Sequence, residues 1–286
     1  MVEVLSGPVH TPRGWTAALM LDQILRCFAS PAEHAAVSEI IHRRSSNPAD
    51  IRDTALVGLD LSRACYILDL GCGFGYMTAK VLSRVAPDAR VIGVDACAEN
   101  RAPFLELVAG TGRQAEFHTL TLGTRLPWAD RRFDLILASY SLYFFPGVIG
   151  DIARALCPDG LFLTIAHSEA SFRALYSLVG VDPAATPLLA LLRSFSAENG
   201  RAQLLEHFEQ VEQMDYRNTL RFGPEHAGEL WQFVRFKLPL ILPRGELPQG
   251  MPPEYQQRLA ASRGDSPGFD IEKDDAIFRC RKPRVQ

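Results

Sequence analysis

The stretch YILDLGCGFGYMTAKVL, Tyr66 to Leu82, decides how the rest of the chain is read. An apolar run carries an acid at Asp69, glycines follow at Gly71, Gly73 and Gly75, and a helical pattern begins at once. A strand, a glycine turn and a helix in that order let backbone N–H groups approach a ligand with no Cβ in the way. Outward from this unit, short β-type runs alternate with helical ones: RVIGVD, ENRAPFLELVAG, AEFHTL, FDLILAS, a helix near DIARAL, and LFLTIA. Nearly continuous apolar strands separated by helices indicate a Rossmann-like α/β fold, a mostly parallel sheet with helices on both faces. Pro87-Asp88 and Pro158-Asp159-Gly160 punctuate the returns from helix to strand.

The glycines do not fit a dinucleotide. That fingerprint wants G-x-G-x-x-G, and Tyr76 stands where its third glycine belongs. Asp69, two residues before the first glycine, would repel a pyrophosphate but suits an ammonium group. Asp95 ends the next strand, 20 residues after Gly75, where acids pair with ribose hydroxyls. A ribose, an amino-acid ammonium and no phosphate describe S-adenosylmethionine. Alone, Asp69 is equally a helix-entry acid and Asp95 a turn residue; the pair together with DLGCGFG carries the cofactor expectation. Cys72, between the glycines, and Ser139, at the end of the fourth strand, are placed with them.

At these residues the chain resembles the class I S-adenosylmethionine-dependent methyltransferases. ILDLGCGFG, GVDA and LPWADRRFDLILASYSLYFF resemble that family's successive motifs, and ALCPDGLFLTIA its fifth-strand segment, over about residues 60–170. The resemblance implies a seven-stranded sheet. It places Gly71, Gly73 and Gly75 along the methionine part of the cofactor, Asp69 near its ammonium, Asp95 on the ribose and Ala96 against the adenine. Five and four residues before Pro127 the family often has an Asp-Ala pair; here those positions are Leu122 and Gly123, so the adenine amino group loses a carboxylate partner.

Two regions fall outside the alternation. Residues 1–60 read as a helical cap, with WTAALMLDQILRCF at helical spacing and Ser30-Pro31 opening a second helix. Residues 61–286 read as the methyltransferase-type domain, with an insertion at about 221–275 that forms a lid over one end of the sheet. Methyl transfer needs alignment and exclusion of water more than a patterned catalytic residue. No [ND]PP[YFW] motif and no Pro-Cys nucleophile points to a nucleic-acid base, so a small-molecule acceptor is expected.

The chain is also similar, more loosely, to histamine N-methyltransferase: Ser30, Glu33 and His34 near a helix start, Leu142-Tyr143-Phe144 after the fourth strand, and Gly228-Glu229-Leu230-Trp231 in a late helix. That resemblance implies Glu33 anchoring an acceptor amine beside His34, with Tyr143 and Phe144 lining the pocket. It puts Tyr140 where the family uses an amide, as a second candidate for orienting the acceptor. Glu33 has an alternative role in the first turn of its helix, favouring the dipole. His167 is divided between pocket lining and helix entry, Trp231 between core and substrate wall, and His118 reads as structural. The expected activity is N-methylation of a small amine. The alternatives are O-methylation of a phenol or carboxylate, and a non-catalytic cofactor-binding regulator.

Composition agrees with an ordinary globular enzyme: 47% hydrophobic, 22% charged, net charge −3. This gives no electrostatic case for nucleic acid or an anionic membrane. LPLILP, Leu238–Pro243, is far short of the ~20 residues that span a bilayer. No secretory signal is visible, and six scattered cysteines suggest free thiols in the cytoplasm. The seven histidines show no metal-ligand spacing, so no metal is expected. Nothing in the sequence addresses oligomeric state.

Overall fold

The computed structural model describes residue 22 and residues 25–242, 247–262 and 268–284. Trp15 and part of the proline-broken loop (243–246) lie outside them. Helices α1 (Pro31–Arg44) and α2 (Ile51–Leu56) precede the sheet. Ser30 caps α1, its hydroxyl accepting from the Glu33 N–H at 3.2 Å, with Pro31 in the first turn and His42, Arg43 and Arg44 in the last. Then come β1 (Tyr66–Leu70), α3 (Tyr76–Leu82), β2 (Arg90–Asp95), α4 (Arg101–Ala109), β3 (Gln114–Thr119), β4 (Phe133–Ser139), α5 (Ile149–Ala155) and β5 (Leu156–His167). The second half holds α6 (Arg173–Val179), α7 (Pro187–Ser194), α8 (Gly200–Leu205), β6 (Phe208–Tyr216) and β7 (Thr219–Phe222). It closes with α9 (Ala227–Ile241), α10 (Pro253–Ser262), β8 (Phe269–Glu272) and β9 (Asp275–Pro283).

Seven strands form one sheet in the order β3-β2-β1-β4-β5-β9-β6, with β9 antiparallel to both of its neighbours. β1 is central, Leu68 pairing with Ile92 on one side and Ile136 on the other. Alternate residues feed opposite faces. Leu68, Leu70, Ile136 and Phe162 enter one apolar cluster, while Ile67, Leu135, Leu137 and Leu163 enter the other. Burial on both faces is why these strands read as continuous apolar runs.

Two expectations are refined. Pro158-Asp159-Gly160 does not sit in a turn before the strand but inside β5, where the pairing jumps from Phe133–Leu156 to Leu135–Leu161; the surplus residues bulge out. VEQMDYRNTLRF is not one strand: it breaks at Arg217-Asn218, because the Asn218 side chain leaves the ladder to bond the Ser45 hydroxyl and the Asn47 N–H. β7 then pairs with β8, a two-stranded clip at the base of the late segment, and its Leu220 makes an isolated antiparallel bridge to Ser45. From that clip α9 runs back along α1. Glu229 bonds Arg43 at 3.0 Å and Arg44 at 2.7 Å across the contact. No helix among the described residues is long and apolar enough to cross a membrane.

Candidate active site

The carboxyl ends of β1, β2, β4 and β5 open on one cavity, roofed by α1 and α9. At its floor is the glycine turn. Gly71 (φ +69°) and Gly73 (φ +53°) take left-handed backbone. A Cβ on Gly71 would lie 2.4 Å from that of Ser141, whose hydroxyl bonds the Leu70 carbonyl, so glycine is required twice over there. At Gly73 the nearest neighbour of such a Cβ is His34, 3.8 Å away, and the backbone faces open space.

Asp69 is buried beneath this turn, accepting from the Thr78 hydroxyl at 2.6 Å. Burial pushes its carboxyl up to about 6, against the Thr78 bond and with help from the charge of Asp95. No cation lies within ion-pair distance of it among the described residues. Asp95 takes the Gly73 N–H on one oxygen and the Cys97 N–H on the other, both at 2.8 Å, leaving further lone pairs on each. Burial raises it too, despite those bonds. Asn100 Oδ1 and His34 Nδ1, both on the cavity wall, are buried without a hydrogen-bond partner. Such atoms call for a ligand or water. A ligand with an ammonium near Asp69, hydroxyls near Asp95 and an apolar face toward Ala96 and Leu122 fits this end.

The opposite end is built on Asp275, where β9 begins. His167 Nδ1 meets Asp275 Oδ1 at 2.5 Å, and Lys273 Nζ and Tyr140 Oη donate to Oδ2 at 2.6 and 2.8 Å. Burial alone would raise the Asp275 carboxyl; Lys273 and His167 hold it below its ordinary value. His167 is pushed down to about 4 by burial, against the pull of Asp275, so it is neutral at pH 7 and its Nδ1–H is directed to Asp275. Its Nε2 has no partner among the described residues. Tyr140 reaches this cluster from left-handed backbone (φ +55°), as does Phe172 (φ +68°), whose ring meets His167 edge-on at 4.8 Å. Non-glycine residues in that region cost energy that the surroundings must hold.

Aromatic rings join the two ends. His34 stacks on Phe236 at 5.5 Å and meets Phe28 and Phe74 edge-on; burial and the Lys237 charge push it down to about 4. Tyr143 and Phe144 pack at 4.6 Å, and Tyr143 stacks on His167 at 6.0 Å.

Of the expected site residues, the cavity wall brings together Asp69, Gly71, Cys72, Gly73, Asp95, Ala96, Leu122 and Ser139, and also His34, Tyr140, Tyr143, Phe144 and His167. It does not include Gly75, Gly123, Trp231 or Glu33. Gly75 (φ +94°) is the entry of α3 and faces Phe104 and Leu107. Trp231 donates its indole N–H to the Gln249 carbonyl. Glu33 leaves the cavity because the first turn of α1 aims it at Arg235 on α9, 3.8 Å away. Reasoning from sequence missed Thr78, Lys237, Lys273 and Asp275. Lys237 carried a faint signal, a lone lysine inside the apolar run FVRFKLPLI.

Residues 67–160 match the family model described as a methyltransferase domain. Over 109 residues the chain is 31% identical to the demethylmenaquinone methyltransferase of Symbiobacterium thermophilum, covering 36% of this chain and 43% of that one. Over 118 residues it is 27% identical to a malonyl-[acyl-carrier protein] O-methyltransferase of Acetivibrio thermocellus, covering 39% and 40%. The matches thus span less than half the length of these relatives. A candidate methyltransferase from Bacillus halodurans C-125 has a similar fold, with a TM-score of 0.52 at 16% identity over 82% of this chain and 99% of that one. The sheet order and the antiparallel β9 give the Rossmann-like fold of the class I methyltransferases, and residues 67–160 are the part of it that matches the methyltransferase-domain model.

Proposed function

We propose that the protein is an S-adenosylmethionine-dependent methyltransferase whose acceptor is a small molecule with an oxygen nucleophile, a phenol or a carboxylate. The observation that carries this is a single cavity running from Asp69, Gly73 and Asp95 to His167 and Lys237. On this reading Asp69 faces the methionine ammonium, Asp95 takes the ribose hydroxyls, and Ala96 and Leu122 hold the adenine ring. When bound there, the cofactor would supply an activated methyl group on a cationic sulfur, ready for transfer to an acceptor lone pair.

The residues of this chain align the acceptor and keep water out. Phe28, Phe144 and Phe236 wall the path, while His167, held neutral by burial with Nδ1–H on Asp275, presents Nε2 as an acceptor for a hydroxyl. Among the described residues, α1 and α9 serve as the cap and lid over this cavity. Amine N-methylation loses its support once Glu33 faces Arg235: the acceptor end carries Lys237 and Lys273 on its wall, and Asp275 is engaged by three donors. The six free cysteines support a reducing compartment, the cytoplasm.

The test is S-adenosylhomocysteine release with two acceptor pools, small phenols and carboxylic acids against small aromatic amines. Release with the first pool is expected. Release with amines only would overturn the oxygen reading. Tight S-adenosylhomocysteine binding with no turnover on either pool would favour the non-catalytic regulator.

A further inference from the structure

Lys237 is a charged element of the cavity wall that neither the cofactor end nor the Asp275 cluster explains. It lies on α9 among Leu230, Phe233, Val234 and Phe236, and only 9% of it is exposed. Its ammonium sits 5.2 Å from the centre of the Phe172 ring and 5.5 Å from that of Phe236. Among the described residues no carboxylate lies within ion-pair distance of it and it makes no hydrogen bond. Asp275, the carboxylate whose charge acts on it, is already engaged by His167, Lys273 and Tyr140. Cys27, close by, is a buried thiol pushed up to about 12 by burial and so carries no charge at pH 7.

A lysine this buried and without a counter-ion is expensive to keep, because removing the charge from water is not repaid by a partner. Burial lowers its pKa, as that cost requires. Its place on the cavity wall supplies the missing term, since a ligand anion would neutralise it. The rings of Phe172 and Phe236 flank the ammonium, so the group that brings the anion must be flat or apolar where it meets them. Phosphate fits this surrounding poorly: a dianion wants several donors, and one lysine among phenylalanines supplies a single centre.

We propose that Lys237 binds a carboxylate of the acceptor, so that the substrate class is small aromatic or apolar carboxylic acids. The inference rests on the small-acceptor reading above and narrows it. Seated between Phe172 and Phe236, the acid leaves its remaining polar group facing His167, whose ring also meets Phe172 at 4.8 Å. The pocket then carries no net uncompensated charge, and a carboxylate oxygen has a free lone pair at neutral pH without a strong base.

The experiment measures binding of benzoate and of its neutral isostere benzamide by calorimetry, with the protein saturated in S-adenosylhomocysteine. The wild type should bind benzoate about tenfold or more tightly than benzamide, as expected for one charge-assisted contact. In Lys237→Met, which keeps the volume and removes the charge, the preference should vanish while S-adenosylhomocysteine binds as before; Lys237→Arg should restore part of it. Equal binding of the two probes by the wild type, absence of benzoate binding, or a preference that survives Lys237→Met would overturn the proposal. The wild-type comparison decides even if the variants fail to fold. Failure to bind S-adenosylhomocysteine at all would instead sink the methyltransferase reading and leaves the benzoate result to be judged on its own.

Discussion

Asp69→Asn separates the cofactor reading from a merely structural acid, through the pH dependence of S-adenosylhomocysteine affinity. The Asp69 carboxyl, pushed up to about 6 by burial, is almost fully ionised at pH 7.5 and mostly protonated at pH 5. An ammonium seeks the ionised form, so binding must first remove the proton. With a pKa of about 6, the free carboxylate fraction falls about tenfold between pH 7.5 and pH 5, and affinity should fall with it. At pH 7.5 the asparagine variant should bind roughly 10- to 100-fold more weakly, the loss of one charge-assisted bond of ~1.5–3 kcal/mol. Asp95 is also raised by burial and titrates in both proteins, so the informative quantity is the ratio of the two affinities. That ratio should shrink about tenfold from pH 7.5 to pH 5, measured by calorimetry at fixed ionic strength. An unchanged ratio across that range would show that Asp69 does not meet the ammonium, however tightly the ligand binds.

Gly71→Ala should destabilise the fold by at least ~1–3 kcal/mol in urea unfolding, since a Cβ would press on Ser141 at left-handed φ; a neutral result would refute the close-approach argument. Glu33→Gln should leave S-adenosylhomocysteine affinity and turnover unchanged and cost no more than ~1 kcal/mol of stability, its partner being a half-exposed arginine. Loss of turnover would return Glu33 to the acceptor site. Acid should weaken the protein well before global carboxylate protonation. His34 and His167 have folded pKa values of about 4 against 6.5 unfolded, so their contribution is intact above pH 6.5 and is lost as pH falls toward 4. From pH 7 to 5 this amounts to about 2 kcal/mol each. Asp69 runs the other way, its folded pKa being raised, and returns about 1 kcal/mol as pH falls through 6. The net loss of about 3 kcal/mol should largely disappear on replacing both histidines with glutamine.

The sheet was legible because its cause is local. The DLGCGFG turn, the acid ending RVIGVD and the apolar runs each follow from strand burial on two faces and from backbone that only glycine takes easily. Ser30 and Pro31 announced α1 for the same kind of reason. The acceptor end was not legible, because its groups meet only through tertiary contact. Asp275 and His167 are 108 residues apart, and nothing in KDDAIF says that the second of its two aspartates turns inward. Glu33 shows the converse. Its position in the sequence suited a pocket, but helix periodicity and the facing arginine on α9 decided its direction. The split of the late strand at Asn218 was hidden likewise, since the bonds that stop the ladder come from residues 45–47.

The roof formed by α1 and α9 has an implication for how such a protein can change. His34 and Phe236, which stack across it, are roughly 200 residues apart, and both lie outside the matched segment 67–160. The turn carrying Asp69 and the acid Asp95 lie inside it. Much of the cavity roof is therefore written outside the stretch that carries the glycine turn, although Tyr140, Tyr143 and Phe144 on its wall lie inside that stretch. On the proposed reading, a chimera carrying another relative's α1 and α9 on this sheet would test whether the roof alone changes the acceptor while Asp69 and Asp95 keep the methyl donor.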